Sequence, residues 1–398
     1  MKSDKIIMPK ILYFLIICLI LTTTGPWLYL RYLSNQISPP PIHVFIECAT
    51  GPTLVQTVAL IHLPENIQKI VAFNTLRGFE KASLAQKFNV IPIKFSDVPY
   101  KDILPMMTAR TIDLMKQKLA DNPRIRFVIH TNLFHHERLL TPLLQQIPAK
   151  NIERIHLYED GFGNTVASRK IPLLASLALN KKPTIPDLST PYYMHSRYPT
   201  TYHIAYKDLI NTDKDFRKLK KILYNADVRD VDFYKIKETL STRDKQNLAE
   251  IFDLDISWHQ NVLKPQNNKK TLILIGPRPL DETQEKNLLK LYAKLLSDRQ
   301  YNYIFKPHPS QFSDPLTQNL KEIKMDLKVI DRSIPLELLF FLDIMPDYIA
   351  GYSSSIFLTL PREKFLYYIE RPFDTYLPFL IKHHIILPAQ IIRPGIRS

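Results

Sequence analysis

Short apolar runs that alternate with helix-length amphipathic segments constrain the fold of this chain more than any other feature. The alternation is interrupted by a polar, helix-leaning stretch, Lys207–Gln266, and then resumes. Such β-α alternation favours a mainly parallel, doubly wound α/β sheet. Two such halves predict two Rossmann-like domains that face each other across a cleft. The predicted strands are His43–Glu47, Lys69–Phe73, Val90–Lys94, Arg126–His130 and Arg154–Tyr158 in the first half, and Thr271–Ile275, Tyr301–Phe305, Leu327–Ile330, Asp347–Ala350 and Phe365–Ile369 in the second.

The charge balance indicates an anionic partner but not a nucleic acid. The 398 residues carry a formal net charge of +15, which suits a phosphate, a nucleotide, an acidic glycan or a membrane surface. The richest basic block, Lys214–Lys221, is typical of a solvated helix face. Cys18 and Cys48 are the only cysteines, so neither a disulfide framework nor a cysteine metal site is predicted.

The N-terminal segment predicts membrane attachment. Ile11–Leu30 contains no charged residue, and its length suits a membrane span. The rival interpretation is a cleaved signal peptide, with a poor cleavage site at Thr22–Gly25. Lys2, Lys5 and Lys10 precede the span and predict a body outside the cytoplasm.

Five unusual segments each follow directly on a predicted strand, and five of the eight glycines of the chain fall in four of them. Because the carboxyl ends of parallel strands meet at one sheet edge, where functional loops collect, the segments are predicted to line a common site. These segments are Cys48–Thr53, Glu159–Gly163, Gly276–Pro279, Lys306–Pro309 and Gly351–Ser355.

The residue types in these segments predict a transferase that acts beside a phosphate. Glu159 and Asp160 end a strand, where a carboxylate can deprotonate an acceptor hydroxyl, although a plain turn capped by Asp160 is the alternative. Lys306 and His308 suit a phosphate leaving group, since lysine neutralises charge and histidine donates a proton. The serines in Ser353–Ser355 precede a predicted helix and form an anion site of the phosphate-binding kind, whereas a simple helix cap needs only one serine.

Several other chemistries lack a motif in this sequence. There is no Walker lysine loop, and G-x-G-x-x-G is absent. The neighbouring histidines His135-His136 and His383-His384 would point about 100° apart on a helix and rarely share a metal. Neither a metal nor a cofactor is therefore predicted.

At these positions the chain resembles the bacterial sialyltransferases of glycosyltransferase family 80, from about residue 43 to residue 369. L-Y-E-D-G at residues 157–161 resembles the family's L-Y-D-D-G, whose second aspartate is the catalytic base, here Asp160. F-K-P-H-P at residues 305–309 resembles F-K-G-H-P, whose histidine is the general acid, here His308. A-G-Y-S-S-S at residues 350–355 resembles A-G-I-A-S-S, whose paired serines bind the donor phosphate, here Ser354 and Ser355.

The resemblance also implies further site residues. I-P-L-E at residues 334–337 matches I-S-F-E, whose glutamate holds the cytidine ribose, and N-L-F-H at residues 132–135 resembles N-T-x-H, whose histidine lines the acceptor pocket. The residues assigned in this way to the donor are Gly276, Lys306, Pro309, Glu337, Ser354 and Ser355, and those assigned to the acceptor are Asn132, His135 and Glu159.

The sequence departs from the family pattern at four places. Glu159 replaces the first aspartate of the acidic pair, and Pro307 replaces a glycine. Phe162–Thr165 replaces S-x-E-Y, and Cys48 stands where the family has histidine. Since the last two lie on the acceptor side, the acceptor and the linkage stay open.

The resemblance implies a GT-B enzyme that transfers sialic acid from CMP-sialic acid to a galactoside hydroxyl with inversion and without a metal. The acceptor would be a surface glycan such as a lipooligosaccharide or capsule, joined in α2,3 or α2,6 linkage. The predicted units are residues 1–41 (cytosolic tip, membrane span and linker), residues 42–265 (acceptor domain), residues 266–374 (donor domain) and residues 375–398 (a segment returning to the first domain).

Two other functions are compatible with the sequence. A different GT-B transferase could use another nucleotide sugar such as CMP-Kdo, and donor competition would separate it from a sialyltransferase. A membrane-anchored glycan-binding protein on a degenerate scaffold would have no use for both His308 and Ser354. Bacteria make CMP-sialic acid in the cytosol, and a charged donor does not cross a bilayer unaided, so we favour a cytoplasm-facing body despite the lysine pattern and the export-like N-termini of many family members.

Overall fold

The computed structural model describes residues 39–74, 76, 78–95, 102–133, 135–159, 191–265, 267–278, 280–309, 315–371, 374 and 376–393. The predicted span Ile11–Leu30 lies outside these residues. None of the helices within them is both long and apolar enough to cross a membrane.

Two wholly parallel sheets form the framework and confirm the predicted pair of α/β domains. The first sheet has seven strands in the order β3-β2-β1-β4-β5-β6-β7, and the second has six in the order β10-β9-β8-β11-β12-β13. The first sheet contains β1 (Ile42–Glu47), β2 (Lys69–Phe73), β3 (Val90–Pro92), β4 (Phe127–Asn132), β5 (Ile152–Tyr158), β6 (Thr200–Ile204) and β7 (Asp227–Asp230). The second contains β8 (Lys270–Ile275), β9 (Tyr301–Lys306), β10 (Lys328–Val329), β11 (Tyr348–Tyr352), β12 (Phe365–Ile369) and β13 (Ile391–Ile392).

Helices connect the strands in each half, as the crossovers of parallel strands require. The described helices of the first half are α1 (Thr50–Ile61), α2 (Ala82–Lys87), α3 (Ile103–Asp121), α4 (His136–Gln146), α5 (Lys207–Thr212), α6 (Arg217–Ile222), α7 (Phe233–Thr239), α8 (Thr242–Ile251) and α9 (Ile256–Leu263). Those of the second half are α10 (Glu282–Leu296), α11 (Pro315–Ile323), α12 (Leu336–Phe341), α13 (Ile356–Thr359) and α14 (Leu377–Lys382).

All ten predicted strands are present, but the prediction missed β6, β7 and β13. The polar stretch predicted to favour helix holds β7, whose sequence Asp-Val-Arg-Asp has no apolar run. Among the described strands, β7 is an edge strand that pairs with β6 alone, and its charged side chains reach solvent. The Arg154 guanidinium lies 3.5 Å from the Asp227 carboxylate on this surface.

A hydrophobic core runs through both halves of the molecule. It includes residues of β1, β4 and β5 from the first sheet together with Ile273 and Ile275 from β8 of the second. At the junction, the rings of Phe233 and Phe341 lie 5.9 Å apart. The Tyr206 hydroxyl donates a hydrogen bond to the Leu358 carbonyl of α13. The two sheets are thereby held with their carboxyl edges around a common cavity.

The segment after residue 374 contacts both halves. The Lys382 ammonium, at the end of α14, lies 2.7 Å from the Asp213 carboxylate in the first half. The chain then adds β13 to the second sheet beside β12. The positions of the domain boundaries remain predictions.

Gly351 lies where β11 passes close to the backbone of β8 in the second sheet. It pairs with Ile275 of β8 and has φ +139°, a conformation that L side chains rarely adopt. A Cβ atom at this position would lie 2.5 Å from both the backbone nitrogen and oxygen of Ile275. Only glycine fits here without displacing backbone.

We predict that Gly351→Ala lowers the free energy of unfolding by about 2–6 kcal/mol, as the sum of about 1–3 for the strained φ and about 1–3 for overpacking. Thermal unfolding followed by circular dichroism would show a lower Tm. Gly51→Ala is the matched control, because a Cβ at Gly51 meets nothing within 4 Å. Equal melting of the two variants would contradict this account of the contact.

Candidate active site

A cavity of about 370 Å³ lies between the carboxyl edges of the two sheets. Each of the five predicted segments contributes to its wall, so the expectation that they share one site is confirmed for their described residues. One lining residue from each segment is Cys48, Glu159, Arg278, His308 and Ser355.

Glu47, the last residue of β1, holds the first-half loops in place. Its side chain is completely buried. One carboxylate oxygen accepts hydrogen bonds from the backbone N–H of Cys48 at 2.8 Å and of Ala49 at 2.9 Å, and from the Asn132 amide at 2.9 Å. The other accepts from the Gln56 amide at 2.7 Å. Because a buried carboxylate needs such donors, the loop after β1 is tied to the end of β4.

In this structure Asn132 positions other residues of the site and does not itself line the cavity. It is completely buried and is not among the lining residues. Besides donating to Glu47, its amide oxygen accepts a hydrogen bond from the His135 backbone N–H at 3.2 Å. His135 itself lines the cavity, as predicted for an acceptor-side residue. Asn132 thus acts on the site through Glu47 and His135.

The structure describes only one residue of the acidic pair at the end of β5. Asp160, the predicted base, lies outside the described residues. Glu159 lines the cavity, and its carboxylate accepts a hydrogen bond from the Ala205 N–H at 3.0 Å. Glu159 therefore connects the end of β5 with the end of β6.

Tyr158 is held beneath this turn by histidines that cross the sheet. Its hydroxyl lies 2.9 Å from His130 Nδ1, and its ring stacks on His203 with centroids 4.2 Å apart. His130 Nε2 lies 3.0 Å from His43 Nδ1. Burial lowers the pKa of His130 well below its usual value, and the neighbouring histidines lower it further. Neutral rings can stack and hydrogen bond here without charge repulsion.

The Lys306 ammonium is directed at backbone carbonyls. It is 3% exposed and donates to the Pro307 oxygen at 3.0 Å and to the Arg332 oxygen at 2.9 Å. Burial lowers the pKa of Lys306 to about 7, while the Asp331 and Glu337 carboxylates act in the opposite direction. Two of its three donors thus hold Lys306–Pro309, the histidine turn, against the turn after β10.

His308 lines the cavity in its neutral form. Burial lowers the pKa of His308 to about 3, and the positive charges of Arg278 and Lys306 lower it further. An imidazole with this pKa must gain a proton before it can serve as an acid at neutral pH. Pro309, predicted to lie on the donor side, also lines the cavity.

The three serines Ser353–Ser355 follow β11, and only the last two of them line the cavity. The Ser353 hydroxyl hydrogen bonds with the Tyr368 hydroxyl at 2.8 Å, and Ser353 is not among the lining residues. Ser354 and Ser355 line the cavity, and the Ser354 hydroxyl accepts from the Ile356 N–H at 3.4 Å. The hydroxyls at the cavity are therefore the two that the resemblance assigns to the phosphate.

Glu337 and Gly276 complete the donor-side prediction. Glu337 lines the cavity from α12, is 7% exposed and accepts a hydrogen bond from the Thr359 hydroxyl at 2.8 Å. Burial raises the pKa of its carboxyl group. Gly276 is buried behind the wall, where its N–H donates to the Lys306 oxygen at 2.8 Å. The structure thus assigns Gly276 a packing role.

Sequence reasoning missed several residues that form the site. Glu47 is not among the predicted site residues, although it directly precedes the Cys48–Thr53 segment. Arg278 lies in the predicted segment Gly276–Pro279, but no motif assigns it a role. Asn74 and Phe233 line the cavity without any motif that could have revealed them. Within the described residues, no group of three or more His, Cys, Asp or Glu is arranged to hold a metal ion.

Several solved structures with the same fold are bacterial sialyltransferases. The α/β-galactoside α2,3-sialyltransferase of Photobacterium phosphoreum is 18% identical, with a TM-score of 0.68 over 90% of this chain and 100% of that chain. The 2,6-sialyltransferase of Photobacterium sp. JT-ISH-224, solved with CMP and lactose, is 18% identical, with a TM-score of 0.71 over 89% and 78%. A sialyltransferase of Photobacterium damsela is 20% identical, with a TM-score of 0.67 over 89% and 81%.

Sequence comparison gives the family assignment. No curated protein sequence matches this chain. The family model described as "Sialyltransferase PMO188" matches residues 42–371, which include both sheets up to β12 and every described residue predicted for the site. The chain therefore belongs to this family of bacterial sialyltransferases.

Proposed function

We propose that this sialyltransferase moves sialic acid from CMP-sialic acid to a galactoside hydroxyl of a surface glycan in one inverting displacement. The observation that carries the proposal is the cavity, where the end of β5 faces His308, Glu337, Ser354 and Ser355. The related 2,6-sialyltransferase that was solved with CMP and lactose supports this pair of substrate classes.

In the proposed reaction, Asp160 takes the proton of the acceptor hydroxyl. The oxygen forms a bond to the anomeric carbon of sialic acid as the bond from that carbon to the CMP phosphate oxygen breaks. The electron pair of that bond leaves with CMP, and His308 gives a proton to the departing phosphate. Ser354 and Ser355 donate hydrogen bonds to the phosphate, and Lys306 adds positive charge. We propose that no metal takes part, because these residues supply the charge stabilisation.

The direct test is incubation of the full-length protein with CMP-sialic acid and a panel of lactosides. Release of CMP together with a sialylated product, identified with its linkage by mass spectrometry and NMR, is the expected result. Transfer from CMP-Kdo but not from CMP-sialic acid would overturn the donor assignment.

The first catalytic prediction separates the two carboxylates at the end of β5. We expect Asp160→Asn to lower kcat by about 10²–10⁴-fold, the range for a lost general base, while CMP affinity stays unchanged. Glu159→Gln should cost much less, because a glutamine oxygen can still accept the hydrogen bond from Ala205. Steady-state kinetics and CMP titration measure both effects. A larger loss in Glu159→Gln would move the base to Glu159.

The second catalytic prediction concerns the charge of His308. We expect CMP binding to draw protons into the site, since an anion raises a histidine pKa that burial and Arg278 have lowered. Calorimetry in buffers of different ionisation enthalpy measures this proton uptake. His308→Ala should take up fewer protons than wild type and lose about 10²–10⁴-fold in kcat with CMP-sialic acid.

A donor whose leaving group needs no protonation should partly rescue His308→Ala. His384→Asn is the matched control, because His384 is exposed and has φ +53°, which asparagine tolerates. Collapse of CMP affinity in His308→Ala without rescue would make His308 a binding residue only.

We also propose that Ile11–Leu30 attaches the protein to the inner membrane with its catalytic body in the cytoplasm. The length of the apolar segment and the cytosolic origin of a charged donor support this arrangement. We expect the protein to stay with membranes after alkaline washing and a fluorescent protein fused to Ser398 to be bright. A dark fusion, with a periplasm-dependent enzyme active at the same site, would reverse the orientation.

A further inference from the structure

Arg278 projects from a segment that is fixed against the histidine turn. The Gly276 N–H donates to the Lys306 oxygen at 2.8 Å. A Cβ on Gly276 would lie 2.9 Å from the Phe305 ring and 3.3 Å from the Pro307 Cα, so the two backbones are in close contact. Two residues further on, Arg278 is exposed and lines the cavity. The backbone that carries Arg278 is therefore packed against the turn that carries His308.

The proposed donor brings two negative groups into a cavity whose described lining contains one lysine, Lys306, and one arginine, Arg278. CMP-sialic acid carries a phosphate and, on the anomeric carbon, a carboxylate. The Lys306 ammonium is buried and directs two of its donors to backbone carbonyls. Ser354 and Ser355 are neutral, and His308 is neutral until the donor is bound. Among the described residues, these side chains therefore offer the two negative groups of the donor only the partly engaged charge of Lys306.

Among the described residues, Arg278 can provide the cationic partner for the donor. In the described part of the chain, its guanidinium makes no hydrogen bond or ion pair. Its positive charge contributes to the lowered pKa of His308. A guanidinium presents a planar fork of N–H donors that matches a carboxylate or phosphate through two parallel hydrogen bonds. Such a fork on the wall of this cavity is chemically suited to the anionic donor that we propose.

We propose that Arg278 is a substrate-binding residue that pairs with an oxyanion of the donor. The pairing rests on the proposed function for the identity of the donor, and both of the donor's oxyanions share the chemistry that Arg278 recognises. Once bound, the oxyanion offsets the arginine charge beside His308 and so eases protonation of the acid. Arg278 therefore contributes to donor affinity and, through His308, to the chemical step.

The test compares Arg278→Gln, Arg278→Lys and the control Arg299→Gln in the full-length protein. Arg299 is an exposed arginine after α10 that does not line the cavity, so its variant removes the same charge elsewhere. Donor KM at saturating acceptor, and the Kd of CMP and of cytidine, are measured for each. We expect Arg278→Gln to raise donor KM by about 10- to 100-fold, the loss typical of a charge-assisted hydrogen bond. Arg278→Lys should recover part of this loss.

The two possible oxyanions give different results. A Kd for CMP that rises with donor KM, while cytidine binding is unchanged, identifies the phosphate as the partner. An unchanged Kd for CMP with a raised donor KM identifies the carboxylate. The proposal is overturned if donor KM and CMP affinity of Arg278→Gln stay within about twofold of Arg299→Gln, or if only acceptor KM changes. If wild type binds CMP through Arg278 but transfers no sialic acid, the proposed function fails while a phosphate pairing stands; a wild type that binds neither CMP nor the donor overturns both.

Discussion

The donor half of the site depends on backbone contacts that leave no room for a side chain. At Gly351, β11 approaches β8 so closely that a Cβ would lie 2.5 Å from Ile275, and Gly276 lies directly against the Phe305 ring and the Pro307 backbone. These contacts fix the segments after β8, β9 and β11 relative to one another. Polar groups held in this way need little reorganisation when charge develops on a leaving phosphate, which is the main source of electrostatic catalysis.

Each half of the cavity uses a buried ionisable side chain to hold its loops. In the first half, the Glu47 carboxylate accepts backbone and amide N–H groups from the loop after β1, from α1 and from the end of β4. In the second half, the Lys306 ammonium donates to carbonyls of two turns. Burial of either charge without such partners would cost several kcal/mol. In each half, a buried charged side chain that hydrogen bonds to backbone groups therefore positions the loops that carry the lining residues.

The sequence predicted where the site lies better than it predicted which way side chains point. Buried parallel strands are continuous apolar runs, so ten strands were found from pattern alone, whereas the charged edge strand β7 has no such signal. The motifs also placed Lys306 and Asn132 in the right segments. Whether a side chain faces the cavity or a neighbouring carbonyl depends on tertiary contacts such as those to Arg332 and Glu47, which no local motif encodes.

The three buried ionisable groups on the donor side share one electrostatic property: without a ligand, burial disfavours the charged form of each. It lowers the pKa of His308 to about 3 and of Lys306 to about 7, and it raises the pKa of Glu337. The negatively charged donor that we propose would move all three pKa values upwards, because it would stabilise both cations and repel the carboxylate. The protonated imidazole that the proposed reaction requires of His308 would thus be favoured only while the phosphate is bound. Because protonation would be coupled to donor binding, His308 would give its proton to the leaving phosphate rather than to bulk water.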